Sequence, residues 1–118
     1  MIVFDDKYVP EFLKDKNKLK VDVTKDLERF EKAFNIDKER LTGLKRIPGL
    51  EKKGVKIPVY KATKFRCKSL KCGSRSGIRI ILAYNWAEEE VSYIEIYSKN
   101  KRENHNEKRI IKYFKNYK

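Results

Sequence analysis

The side chains with chemistry to offer lie in the second half of this chain. Lys64 and Arg66 stand two apart, Arg79 follows Ser76-Gly77-Ile78, and His105, the lone histidine, comes just after the basic residues Lys99, Lys101 and Arg102. Arginine keeps its charge at any accessible pH and presents a planar fork of donors to phosphoryl oxygens. Histidine is the one side chain whose ordinary pKa lies near neutrality. Residues 60–86 carry seven Lys or Arg between Lys61 and Arg79 and no Asp or Glu. Two strands and a turn with that composition make a surface for an anionic partner.

The whole chain follows the same division. Its 118 residues carry a net charge of +13, yet residues 1–40 hold ten basic and ten acidic side chains. Residues 41–118 hold the remaining twenty basic and seven acidic, so the entire excess lies there. A phosphate-rich polymer or an acidic protein partner explains such asymmetry; a uniformly solvated surface does not require it. No apolar run approaches the roughly 20 residues of a membrane span, and the start, MIVFDDKYV, lacks the layout of a signal peptide. A cytoplasmic, reduced chain without membrane contact is expected. Cys67 and Cys72 with only His105 as a third soft ligand make a poor zinc set. Pairing of the two thiols across the turn stays open.

One domain of 1–118 must position these groups, since the length suits a single core. A short apolar strand is expected at 1–5 and a helix after Pro10. A clearer helix follows Thr24, with Leu27, Phe30 and Phe34 on one face. Residues 37–58, rich in Gly and Pro, read as loop. Strict alternation over 59–68 sets Phe65 and Cys67 on one face and Lys64, Arg66 and Lys68 on the other. Over 77–86 it sets Ile78, Ile80, Leu82 and Tyr84 opposite Arg79, Ile81 and Ala83, and over 91–99 it pairs Ile94 with Ile96. A last helix is expected from Asn104, with Glu107 in capping-box position and Ile110, Ile111 and Phe114 as its stripe. The expected class is α+β: a helical hairpin on a mainly antiparallel sheet, in the order β-α-α-β-β-β-α. If the aliphatic faces all meet helices, Lys64, Arg66, Lys68, Arg79 and Lys99 share one exposed face.

That order, with KFRCKSL, SGIRIILAY and YIEIYSKNKRENH along it, resembles the RelE/ParE toxin superfamily, and RelE-type mRNA interferases in particular, over most of residues 19–114. The resemblance implies a small RelE-like fold, a metal-independent endoribonuclease with no cofactor, mRNA and the ribosome as targets, and a cognate antitoxin. It matches Lys64 and Arg66 to paired strand cations, Arg79 to a Gly-x-Arg arginine, and Lys101 or Arg102 to a later basic residue. It sets His105 near an aromatic or histidine position, although the family's tyrosine is missing there and the turn at 68–77 is longer. Cleavage by a 2′-hydroxyl needs a base, a stabiliser for the phosphorane and a proton for the leaving oxygen. Lys64 is the expected base if Arg66 and Arg79 depress its pKa, Arg66 and Arg79 hold the phosphate, and His105 is the expected acid. Lys68, Lys99, Lys101 and Arg102 are expected RNA contacts, and Tyr84, Tyr93 and Tyr97 are placed to stack bases. Two alternatives remain: a ParE-like toxin that inhibits a protein such as DNA gyrase without nuclease chemistry, and a non-catalytic RNA-binding module.

Overall fold

A computed structural model describes residues 1–37, 41, 43–67, 77–102 and 104–117. Strand β1 (Val3–Asp5) leads into helices α1 (Glu11–Lys18) and α2 (Thr24–Asp37). Strands β2 (Leu44–Arg46), β3 (Val59–Ala62), β4 (Ile78–Asn85) and β5 (Glu90–Ser98) follow, and α3 (Glu107–Phe114) closes the chain. The sheet runs β1-β5-β4-β3-β2, antiparallel except for β1, which lies parallel to β5. The class is α+β, as expected, with one more strand. Leu44–Arg46, inside the stretch read as loop, pairs with β3 at the sheet edge. Among the described residues no helix is long and apolar enough to cross a membrane.

The helical hairpin covers one sheet face. Leu27 and Phe34 of α2 and Phe12 of α1 are buried there against Ile78, Ile80, Leu82, Tyr93 and Ile96. Phe12 stacks on Tyr93 with ring centroids 4.7 Å apart. The turn between the helices passes through Lys20 at φ +60°, and Asp22 accepts the amide of Thr24 at 2.9 Å.

The opposite face is not exposed. Ile81, Ala83, Ile94 and Tyr97 form a second core there with Ile110 and Phe114 of α3 and with Leu50 and Val55 from the connection before β3. Exposing that row of aliphatic side chains would forfeit about 1.5–3 kcal/mol for each large one, so helix and connection fold over it. The sheet is therefore a middle layer, and an open basic face is replaced by a covered one.

Strict alternation also fails at two named points. In β5, Tyr93 pairs with Leu82 and Glu95 with Ile81, leaving Ile94 as an extra residue. Such a bulge reverses the faces beyond it. Tyr93 and Ile96 thus face the hairpin while Ile94 and Tyr97 face α3. On the neighbouring segment Ala62, Phe65 and Cys67 all join the hairpin-side core, so the parity changes at 63–64. Thr63 is pinned there to Gly43, its amide and hydroxyl both reaching the glycine carbonyl at 3.0 and 3.1 Å. Gly43 has φ +82°, and a Cβ on it would lie 2.6 Å from the Thr63 hydroxyl. No side chain fits there.

Beyond Ser92 the edge of β5 has no strand beside it among the described residues. Asp15 of α1 and Arg109 of α3 meet over that edge in an ion pair at 2.5 Å, with both side chains nearly buried. Arg109 donates to the carbonyl of Ile94 at 3.0 Å, and Asp15 accepts from the amide of Ile96 at 3.5 Å. Side chains here satisfy backbone groups that would otherwise invite another strand.

Candidate functional site

The α3-side core stops short of one end of the sheet, and polar groups take over there. Arg79 is the second residue of β4 and pairs across strands with Tyr97, near the end of β5. Lys61 of β3 pairs with Ile81, two residues along from Arg79 on the same face. Lys61 and Arg79 are half-buried, and Tyr97 is buried. The Arg79 guanidinium donates to the Thr63 carbonyl at 2.7 Å, which holds it against the point where the chain leaves the sheet.

After β5 the chain turns sharply, with the amides of Lys101 and Arg102 both donating to the carbonyl of Ser98. This turn brings Arg102 back over Tyr97, its guanidinium carbon 4.8 Å from the ring centroid. Arg102 also forms an ion pair with Glu95, whose side chain is fully buried. The other carboxylate oxygen of Glu95 accepts the amide of Asn106 at 2.8 Å. Asn106, rather than Asn104, caps α3, accepting the amide of Arg109 on its side chain at 3.1 Å. The reason is competition for that first turn: Glu95 seats the Asn106 backbone, so the helix starts at Glu107. His105 therefore precedes the helix instead of lying within its first turn. Glu95 grips the chain on both sides of it, through Arg102 and Asn106.

The electrostatics of this cluster are consistent from group to group. Burial, and then the positive charges of Lys61 and Arg102, hold the His105 imidazole below its ordinary value, and Glu107 opposes them in part. Burial and the Arg79 charge lower Lys61. Burial raises the Tyr97 phenol, against the pull of Arg79. His105 Nδ1 and the Tyr97 hydroxyl are buried polar atoms with no hydrogen-bond partner among the described residues. An unpartnered buried polar atom costs about 1–3 kcal/mol. Two such atoms stand here beside Lys61 and Arg79, while the charge of Arg102 is met by Glu95.

The expected site residues are thus divided. Arg79, His105 and Arg102 come together. Lys64 and Arg66 are not brought to them; Phe65 and Cys67 face the hairpin-side core, as alternation over 64–67 expects. Both cations are exposed, and with Arg29, Phe30, Leu41 and Leu44 they line a separate cleft of about 450 Å³. The lysine with a depressed pKa is Lys61, the cation expected least from the sequence. Its pairing with Ile81 sets it on the sheet face covered by α3. Lys99 and Lys101 are exposed beside the cluster, and Lys68 lies outside the described residues. Cys67 is buried in the hairpin-side core, and Cys72 is outside the described residues. Tyr84 and Tyr93 are buried core residues, so neither is available for base stacking.

No protein-family model, curated protein or solved structure matches the chain. The functional reading rests on its own residues. Among the described residues no group of His, Cys, Asp and Glu is arranged to hold a metal ion.

Proposed function

We propose that this protein is an endoribonuclease that cleaves mRNA by attack of a 2′-hydroxyl, serving as the toxin of a toxin–antitoxin pair of RelE-like type. One observation carries the reading: an unpartnered imidazole nitrogen and phenol buried among Lys61, Arg79 and Arg102. The charge excess of residues 41–118 supports a polyanionic substrate.

The roles follow from the pKa directions. His105, held below its ordinary value, is neutral at physiological pH and takes the proton from the 2′-hydroxyl. The 2′-oxygen bonds to phosphorus, and Arg79 and Arg102 stabilise the phosphorane oxygens. Lys61, a stronger acid than an ordinary lysine, protonates the departing 5′-oxygen. The products are a 2′,3′-cyclic phosphate and a 5′-hydroxyl, with no water consumed. The sequence made Lys64 the base and His105 the acid; the positions of Lys61 and His105 favour the reverse use of lysine and histidine.

A second reading, nucleic-acid binding without cleavage, is favoured by the bond from Arg79 to Thr63, which gives Arg79 a structural duty. Expression of the protein with primer-extension mapping of cellular mRNA separates the two. Cuts that appear with the wild type and vanish with Arg79→Ala, at unchanged circular dichroism, support cleavage. Full growth arrest and unaltered cuts from Arg79→Ala would contradict it.

A further inference from the structure

A second cleft of about 360 Å³ opens at the same end of the sheet, on the hairpin side. Its walls are Leu19 and Val21 from the α1–α2 turn, with Ile78 of β4 and Ile96 of β5. Its rim carries Lys18, Lys101 and Arg102. Tyr97 and Arg102 also line it, so it adjoins the Arg79–His105 cluster across the end of β5. One acidic side chain contributes to the wall, Asp15, and its charge is already engaged by Arg109. What faces the opening is apolar surface with Lys18 and Lys101 at its rim and Arg102, paired with Glu95, beside it.

We propose that this cleft is a nucleoside subsite that receives the RNA residue next to the scissile phosphate and sets the base preference of cleavage. The proposal rests on the phosphodiester reading of the adjoining cluster. Its volume falls at the small end of ligand pockets, roughly 300–1,000 Å³, a fit for one nucleoside. Single-stranded bases are recognised by splaying them out, covering their faces and bonding their edges. Leu19, Val21 and Ile96 supply the covering surface. The Ser98 hydroxyl and Asn100 amide, also in the lining, supply donors and acceptors for a base edge. Arg102, facing both sites, spans the phosphate between them. An acidic peptide would satisfy the cationic rim but leave the paired Ser98 and Asn100 groups with nothing to read, so a nucleoside is the better occupant.

The test uses the intact protein and the four nucleoside 3′-monophosphates. Titration followed by backbone amide NMR is expected to move the signals of Leu19, Val21, Ile96 and Ser98, with affinities that differ among the four bases. Leu19→Trp, which fills the cleft, should weaken the preferred nucleotide by roughly tenfold or more. Asn100→Ala, at an exposed position outside the core, should level the differences between bases. In cleavage of a mixed-sequence RNA the same Asn100→Ala should broaden the base preference, read as the ratio of cuts after each base. Nucleotide-induced shifts confined to Arg79 and His105, or base ranking unchanged in both variants, overturn the subsite and leave the cleavage reading standing. Selective nucleotide binding by a protein that cuts no RNA overturns the cleavage reading and keeps the subsite.

Discussion

Two basic regions of this molecule look alike as sequence and differ as structure. Lys64, Arg66 and Arg29 line an open cleft beside α2, where exposed ammonium and guanidinium groups have water on one side. Lys61 and Arg79, half-buried, and the exposed Arg102 instead stand around groups that are not cationic at neutral pH, the His105 imidazole and the Tyr97 phenol. The first arrangement attracts anions. In the second, burial and neighbouring charge have also shifted the proton affinities of the groups, which is what the proposed chemistry uses. Charge density in a sequence identifies both regions. Only depth and company distinguish binding from chemistry.

The largest effect expected from this contrast is on His105. His105→Asn keeps a polar side chain of similar reach but removes the base, and should lower the cleavage rate by about 10²–10⁴-fold, measured in single-turnover assays on a defined RNA. Next comes Glu95→Gln, which retains an acceptor for the Asn106 amide and loses the charge facing Arg102. Misplacement of Arg102 and of the chain carrying His105 should cost roughly 10–100-fold, with circular dichroism unchanged. A smaller effect belongs to the open cleft. Lys64→Ala with Arg66→Ala should leave the cleavage step within about threefold and reduce the salt slope of RNA binding by about 1.4, at some 0.7 for each cation on a single strand.

The smallest effect is a shift in titration, and it is also the cleanest to read. His105 is the lone histidine, so its proton NMR signals need no assignment. Its midpoint should lie below the ordinary 6.5 because burial and the charges of Lys61 and Arg102 disfavour imidazolium, with Glu107 opposing. Lys61→Met removes one of those charges and should move the midpoint upward, read by NMR alone because the same variant loses the general acid of the proposed reaction. The sign for stability follows. The unfolded chain binds the histidine proton more tightly, so this group's contribution is present above pH 6.5 and is lost as pH falls through the folded midpoint.

Much of the frame was legible from residue pattern alone. The Leu27–Phe30–Phe34 stripe, the apolar run that becomes β4, and the placing of Arg79 opposite Ile80 follow from periodicity, because burial enforces them directly. The site was legible only in part. Arg79, Arg102 and His105 stand out by residue type, whereas Lys61 looks like any strand lysine until the far face proves to be covered. Strict alternation over 59–68 breaks between Ala62 and Phe65 because the pinning of Thr63 to Gly43 acts over twenty residues of chain and leaves no trace in the local pattern. The bulge at Ile94 was hidden for a similar reason: one extra residue between Leu82 and Ile81 partners changes which tyrosine faces α3 without altering the apolar composition. Asn104 and Asn106 are equally good caps by type. The buried Glu95 decides between them.

The most direct test compares the two regions in one assay: purified wild type, His105→Asn and the Lys64→Ala/Arg66→Ala double variant are incubated with a single 5′-labelled RNA, and fragments are sized and their ends identified. The expected result is 2′,3′-cyclic phosphate ends from the wild type, near-wild-type cutting from the double variant, and loss of those fragments from His105→Asn. Undiminished cutting by His105→Asn, together with its loss in the double variant, would contradict it and move the chemistry to the open cleft.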